Sequence, residues 1–101
     1  MWLFAMFDLP VVSKPQRRAA TQFRQFLLRE GFTMLQYSVY ARYLESADAA
    51  RDHATRIRIM LPRSGEVRLL SITDRQFGKM QVFNGKKRVA AEGPPDQLML
   101  F

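Results

Sequence analysis

The chain has 101 residues, with 16 Lys plus Arg against 9 Asp plus Glu, a formal charge of +7, and no cysteine. That length holds one hydrophobic core rather than two, and the lack of cysteine excludes a disulfide framework, a thiolate zinc site and a Cys nucleophile. A single histidine, His53, excludes a His-rich metal centre within one chain.

Met1–Asp8 (MWLFAMFD) predicts a buried strand stopped by Leu9-Pro10. Leu3, Ala5 and Phe7 fall on one face and Trp2, Phe4 and Met6 on the other, so both faces need cover. Asp8 continues the second face at the strand's carboxyl end. As the longest apolar run, Met1–Phe7 is far too short to span a bilayer and lacks the basic flank of a secretion signal. A soluble, cytoplasmic protein is expected.

Ser13-Lys14-Pro15-Gln16 has the form of a capping box with proline in the first turn. Ala19, Ala20, Phe23, Phe26, Leu27 and Glu30 then follow helical spacing, and Gly31 supplies a stop. Arg17, Arg18, Arg24 and Arg29 lie mostly off that stripe. Phe32–Tyr43, rich in aromatic and β-branched residues, predicts two short strands or one bent one. Ser46 caps a second helix whose stripe is Ala50, Ala54, Ile57 and Leu61, with Met60 beside it. Pro62 and Gly65 end it. Val67–Thr73 predicts a fourth strand, Asp74–Lys79 a helical turn, and Met80–Phe83 a short strand before an Asn84-Gly85 turn.

The order β-α-β-β-α-β is the ferredoxin-like arrangement, an α+β fold with helices on one sheet face. We place this domain at residues 1–85 and a C-terminal strand extension at 86–101. An open face bearing Trp2, Phe4 and Met6 would be a large exposed apolar patch. The economical cover is a second copy, packed sheet to sheet about a two-fold axis. Leu98-Met99-Leu100-Phe101 is equally apolar, so Leu98 and Leu100 are expected to dock on the sister protomer or another protein, with an internal edge strand as the alternative.

Of the 16 basic residues, 12 are arginine, the residue suited to bidentate contact with phosphate oxygens. Nucleic acid is the expected partner; no helix has the extra apolar face that a membrane surface would require. Lys14, Arg17, Arg18, Arg24 and Arg29 are the candidates for phosphate contact.

Enzyme motifs are sparse. The chain has no glycine-rich phosphate loop, no G-x-S-x-G elbow and no H-E-x-x-H. His53 lies beside a helical apolar stripe, where a partly buried or surface histidine is the expectation. Asp48 and Asp52, four apart among arginines, read as a solvated salt-bridge face. Asp8 differs, because a carboxylate ending an apolar strand must pair, hydrogen-bond or bind a cation. It could cap the Leu9-Pro10 turn. Alternatively, two copies facing each other across a two-fold axis could share a magnesium ion. The RNA-recognition motif has the same element order, but its K/R-G-F/Y-G/A-F-V-x-F/Y segment is absent.

Phe7-Asp8-Leu9-Pro10, then Phe23–Leu28 leading to Glu30-Gly31-Phe32, Met34, Gln36 and Ser38-Val39-Tyr40, then Leu70–Phe77, resembles the CRISPR-associated protein two family. The Phe23–Tyr40 block is most similar to the branch accompanying Cas-nine-type effectors. The resemblance implies a ferredoxin-like homodimer whose C-terminal strands extend or exchange between protomers. It also implies a role in spacer acquisition, as a central dimer that holds a short duplex DNA, the prespacer, with the CRISPR integrase. Asp8 falls on the family's magnesium-binding aspartate, to which a catalytic role is assigned where members act as metal-dependent endonucleases on RNA or DNA. The alternative function is therefore a magnesium-dependent endonuclease using Asp8 from both protomers.

Overall fold

The computed structural model describes residues 1–94. Its elements run β1 (Trp2–Asp8), α1 (Lys14–Arg29), β2 (Thr33–Gln36), β3 (Val39–Tyr43), α2 (Ala47–Ile59), β4 (Glu66–Ile72), α3 (Asp74–Gly78), β5 (Val82–Asn84) and β6 (Lys87–Val89). Strands β1–β4 form one antiparallel sheet in the order β2-β3-β1-β4. That is the α+β, ferredoxin-like arrangement expected from the element order.

The sheet order explains the composition of β1. It is central, paired with β3 on one side and β4 on the other, so both of its edges are closed and its side chains meet packing on each face. Leu3, Ala5 and Phe7 point to the helices and pack with Phe23 and Leu27 of α1 and Ala50 and Ile57 of α2. The Phe7 ring meets Phe23 edge-on at 5.2 Å and Tyr40 at 5.6 Å. This is the main core.

Local signals set the helix ends. Ser13 Oγ accepts from the Gln16 N–H at 3.2 Å, while Gln16 Oε1 accepts from the Ser13 N–H at 3.0 Å, closing the capping box. Gly31 follows the C-cap at φ +85°, a conformation side chains resist. Ser46 Oγ accepts from the Ala49 N–H at 3.1 Å to start α2. α2 stops at Ile59, however, so Leu61 is not on its buried stripe; Leu61 and Met60 are exposed.

The opposite sheet face is covered in part by the chain itself. α3, opened by a Thr73–Gln76 capping box, presses Phe77 onto Trp2 with centroids 3.9 Å apart and planes 9° from parallel. Trp2 is only 6% exposed, so the cover expected for it from a partner is supplied within the chain. Among the described residues, those of this face left partly open include Phe4, Met6 and Val39, half-buried, and Leu70, 49% exposed and opposite Phe4 in register.

Among the described residues, β5 and β6 pair only with each other, as a separate hairpin. Its turn centres on Gly85 and Lys86, one residue beyond the expected Asn84-Gly85, and Gly85 takes the positive φ. The expected division at 85/86 therefore falls inside this turn. Leu98 and Leu100 lie outside the described residues.

Candidate functional site

Two surfaces matter, a basic one on α1 and a carboxylate at the end of β1. Along α1, Lys14, Arg18, Gln22, Gln25 and Arg29 are all exposed. Their spacings of 4, 4, 3 and 4 residues put them on one stripe, and 15 residues at 1.5 Å each extend it about 22 Å. The helix turns this stripe outward because Ala20, Phe23 and Leu27 hold the other side in the core.

Arg17 and Arg24 are less free than their position off the apolar stripe implies. Arg17 is exposed, but its Nη1 donates to the carbonyl oxygens of Val12 at 2.8 Å and Val11 at 3.2 Å, bracing the β1–α1 loop. Arg24 is half-buried, with its guanidinium 4.8 Å from the Tyr37 ring centroid and 5.9 Å from that of Phe7. Its Nη2 also donates to Tyr37 Oη at 3.1 Å. These contacts make Arg24 part of the packing between α1 and the β2–β3 turn. Lys14, Arg18 and Arg29 remain as the solvent-facing cations of the stripe.

Asp8 ends β1 and is exposed. Among the described residues its carboxylate accepts no hydrogen bond from the Leu9-Pro10 turn, and the N–H groups of Val12 and Ser13 that follow go to Gln16 Oε1, each at 3.0 Å. Its backbone is fixed by close packing. Gly65 sits against it at φ +97°, and a Cβ there would lie 2.8 Å from the Asp8 carbonyl oxygen.

Register places a second carboxylate beside Asp8. Glu66 of β4 is its direct cross-strand partner, with Met6 opposite Arg68 in the next row on the same face. Like charges opposed in this way repel. Arg68 relieves part of that: its Nε donates to Glu66 Oε1 at 2.9 Å, and this hydrogen bond and charge hold the Glu66 carboxyl below its usual range. Asp8 has no such ion pair among the described residues, which hold no cluster of three or more His, Asp or Glu suited to a metal. A hard, oxygen-seeking cation such as magnesium fits the free carboxylate, although one chain supplies too few ligands to enclose it. Glu66 escaped sequence reading because it precedes the apolar run from Val67. Only the β1–β4 register, not either strand alone, puts it opposite Asp8.

Trp2, Phe4, Met6 and Asp8 alternate along one face of β1, a central strand of the sheet, with Asp8 at its end. No helix of the described residues is long and apolar enough to cross a membrane.

Residues 1–80 match the family model described as CRISPR associated protein Cas2. The chain is 50% identical to the CRISPR-associated endoribonuclease Cas2 of Parvibaculum lavamentivorans over the whole of both chains. It is 44% identical to that of Flavobacterium psychrophilum, over all of this chain and 88% of the relative. The Streptococcus mutans protein of the same name is 34% identical, over all of this chain and 93% of its own.

Proposed function

The chain belongs to the CRISPR-associated Cas2 family, and from that premise we propose that it acts as a dimeric, duplex-DNA-binding scaffold in spacer acquisition. The exposed Lys14–Arg18–Arg29 stripe supports this reading most directly. A row of cations on a rigid helix contacts a phosphate backbone without reading sequence, as a protein holding arbitrary prespacers must. Pairing through the half-exposed Phe4, Met6 and Leu70 would cover the remaining apolar face and bring the charge to +14. Its partner in this role would be the CRISPR integrase. The Phe23–Tyr40 block supports the branch that accompanies Cas-nine-type effectors.

The test is duplex binding over a salt series. Each lost phosphate contact lowers the slope of log affinity against log salt by about 1. Lys14→Glu with Arg18→Glu should weaken binding at every sequence and flatten the slope by about 2. Unchanged affinity and slope would place the duplex elsewhere.

A second reading, a magnesium-dependent endonuclease acting on single-stranded RNA or duplex DNA, is supported by the exposed Asp8 carboxylate and by the relatives' name, endoribonuclease. Asp8 from each protomer would hold the ion, which when bound activates water and stabilises charge on a phosphodiester. This chain contributes the backbone packing that aims Asp8, with Glu66 kept anionic beside it. Cleavage lost on both chelation and Asp8→Asn supports this reading. Cleavage that survives Asp8→Asn overturns it.

A further inference from the structure

At the end of the sheet away from Asp8, where α1 stops, lies a cleft that shares only Arg29 with the duplex-binding stripe. Trp2 and Asp8 are the two ends of β1, so the separation along the strand is about 20 Å. One part of the cleft is a cavity of about 370 Å³ lined by Arg29, Arg42 and Arg56 together with Glu30, Gly31 and His53. It adjoins a second of about 630 Å³ through Gly31, Arg42 and His53, and this second part is walled by Tyr43 and Trp2. Both volumes are in the range of small-ligand sites.

The electrostatics are one-sided. In the smaller cavity three guanidinium groups meet one carboxylate, Glu30, which accepts from Arg56 Nη2 at 2.7 Å; Glu45 lines the larger cavity, leaving arginine in excess over the whole cleft. Arg42 Nη1 donates to the Glu30 carbonyl oxygen, so Arg42 and Arg56 each commit one of five N–H donors and retain the others. His53 reports the local field. Its Nδ1 is 3.5 Å from Glu30 Oε1, yet burial, followed by the positive charges of Arg42 and Arg56, holds its pKa below 6.5. Glu30 does not neutralise the cluster. His53 Nδ1 and Glu30 Oε1 are also both buried without a hydrogen-bond partner. Gly31 keeps the cleft open: a Cβ at that position would lie 3.2 Å from Arg42 Cζ.

Forked cationic donors beside an aromatic wall suit one nucleotide, with phosphate on the arginines and base against the ring. A duplex cannot use the aromatic wall, because its bases are stacked inside. A strand terminus can, and its terminal phosphate carries the extra charge that the surplus of arginines favours. We propose that this cleft binds the phosphorylated terminal nucleotide of a single strand, with the phosphate on Arg29, Arg42 and Arg56 and the base against Tyr43.

The test uses the full chain and three fluorescent oligothymidine trinucleotides: 5′-phosphorylated, 3′-phosphorylated and unphosphorylated. At least one phosphorylated probe should bind tenfold or more tightly than the unphosphorylated one. Arg29→Ala alone, at an exposed position that does not endanger folding, should cut that preference at least threefold. Lys14→Glu with Arg18→Glu should leave the preference intact, which separates this site from the duplex stripe. Equal affinity for all three probes, or a preference untouched by Arg29→Ala, overturns the proposal.

Discussion

Trp2 and Phe77 lie face to face at 3.9 Å, so a five-residue helix covers the aromatic end of the open sheet face. Phe4 also meets the Phe77 ring, tilted at 5.9 Å. Phe77 is therefore the keystone of a second, smaller core made with Trp2 and Ala41. Phe77→Ala should cost about 3–5 kcal/mol and, because Trp2 is the chain's only tryptophan, shift its fluorescence to the red. An unchanged emission maximum in a folded variant would mean that Trp2 is covered some other way.

Arg24 and Arg18 should separate stability from binding. Arg24→Ala removes contacts with two rings and the Tyr37 hydroxyl, and should lower stability by about 1–2 kcal/mol while leaving the salt slope of duplex binding unchanged. Arg18→Glu should do the reverse. Denaturant melts beside salt-titrated binding check both.

Gly65→Ala tests how tightly the Asp8 end is built. The positive φ and the 2.8 Å approach to the Asp8 carbonyl oxygen admit no Cβ, so the variant should lose about 1–3 kcal/mol. A thermal melt matching that of the parent would show that the β1–β4 end relaxes freely.

Much of this fold was legible because its signals are local. The Ser13–Gln16 capping box, the helical stripe through Phe23 and Leu27, and the two-sided apolar strand at Trp2–Phe7 each act over a few residues. What the sequence hid depends on tertiary pairing. Nothing near Trp2 in the chain names Phe77, and Arg24 reads as surface until Tyr37 is brought beneath it. Glu66 becomes Asp8's neighbour only through the β4 register. The Arg29–Arg42–Arg56 cleft gathers one residue from each of three elements, so no sequence window contains it.

His53 sets a pH dependence. Its folded pKa is below 6.5, so the unfolded state takes up the proton first. The stability that neutral His53 contributes is present above pH 6.5 and declines as pH falls from there to the folded pKa, below which it stays flat. The groups facing it are Glu30, Arg42 and Arg56. His53→Gln removes this titration, so the stability of the parent minus that of the variant should fall as pH drops across that window. A difference that grows more favourable to the parent as pH falls would reverse the sign of this account.

If the basic stripe of α1 holds the duplex, Asp8, which stands apart from it at the end of β1, should be dispensable to that task. The most direct measurement is integration of a labelled short duplex into a repeat array by the CRISPR integrase, with this protein added as parent, Asp8→Asn, or Lys14→Glu with Arg18→Glu. The account predicts full integration with Asp8→Asn and at least a tenfold loss with the double charge reversal. Integration abolished by Asp8→Asn in a folded protein, and sustained by the charge reversal, would contradict it.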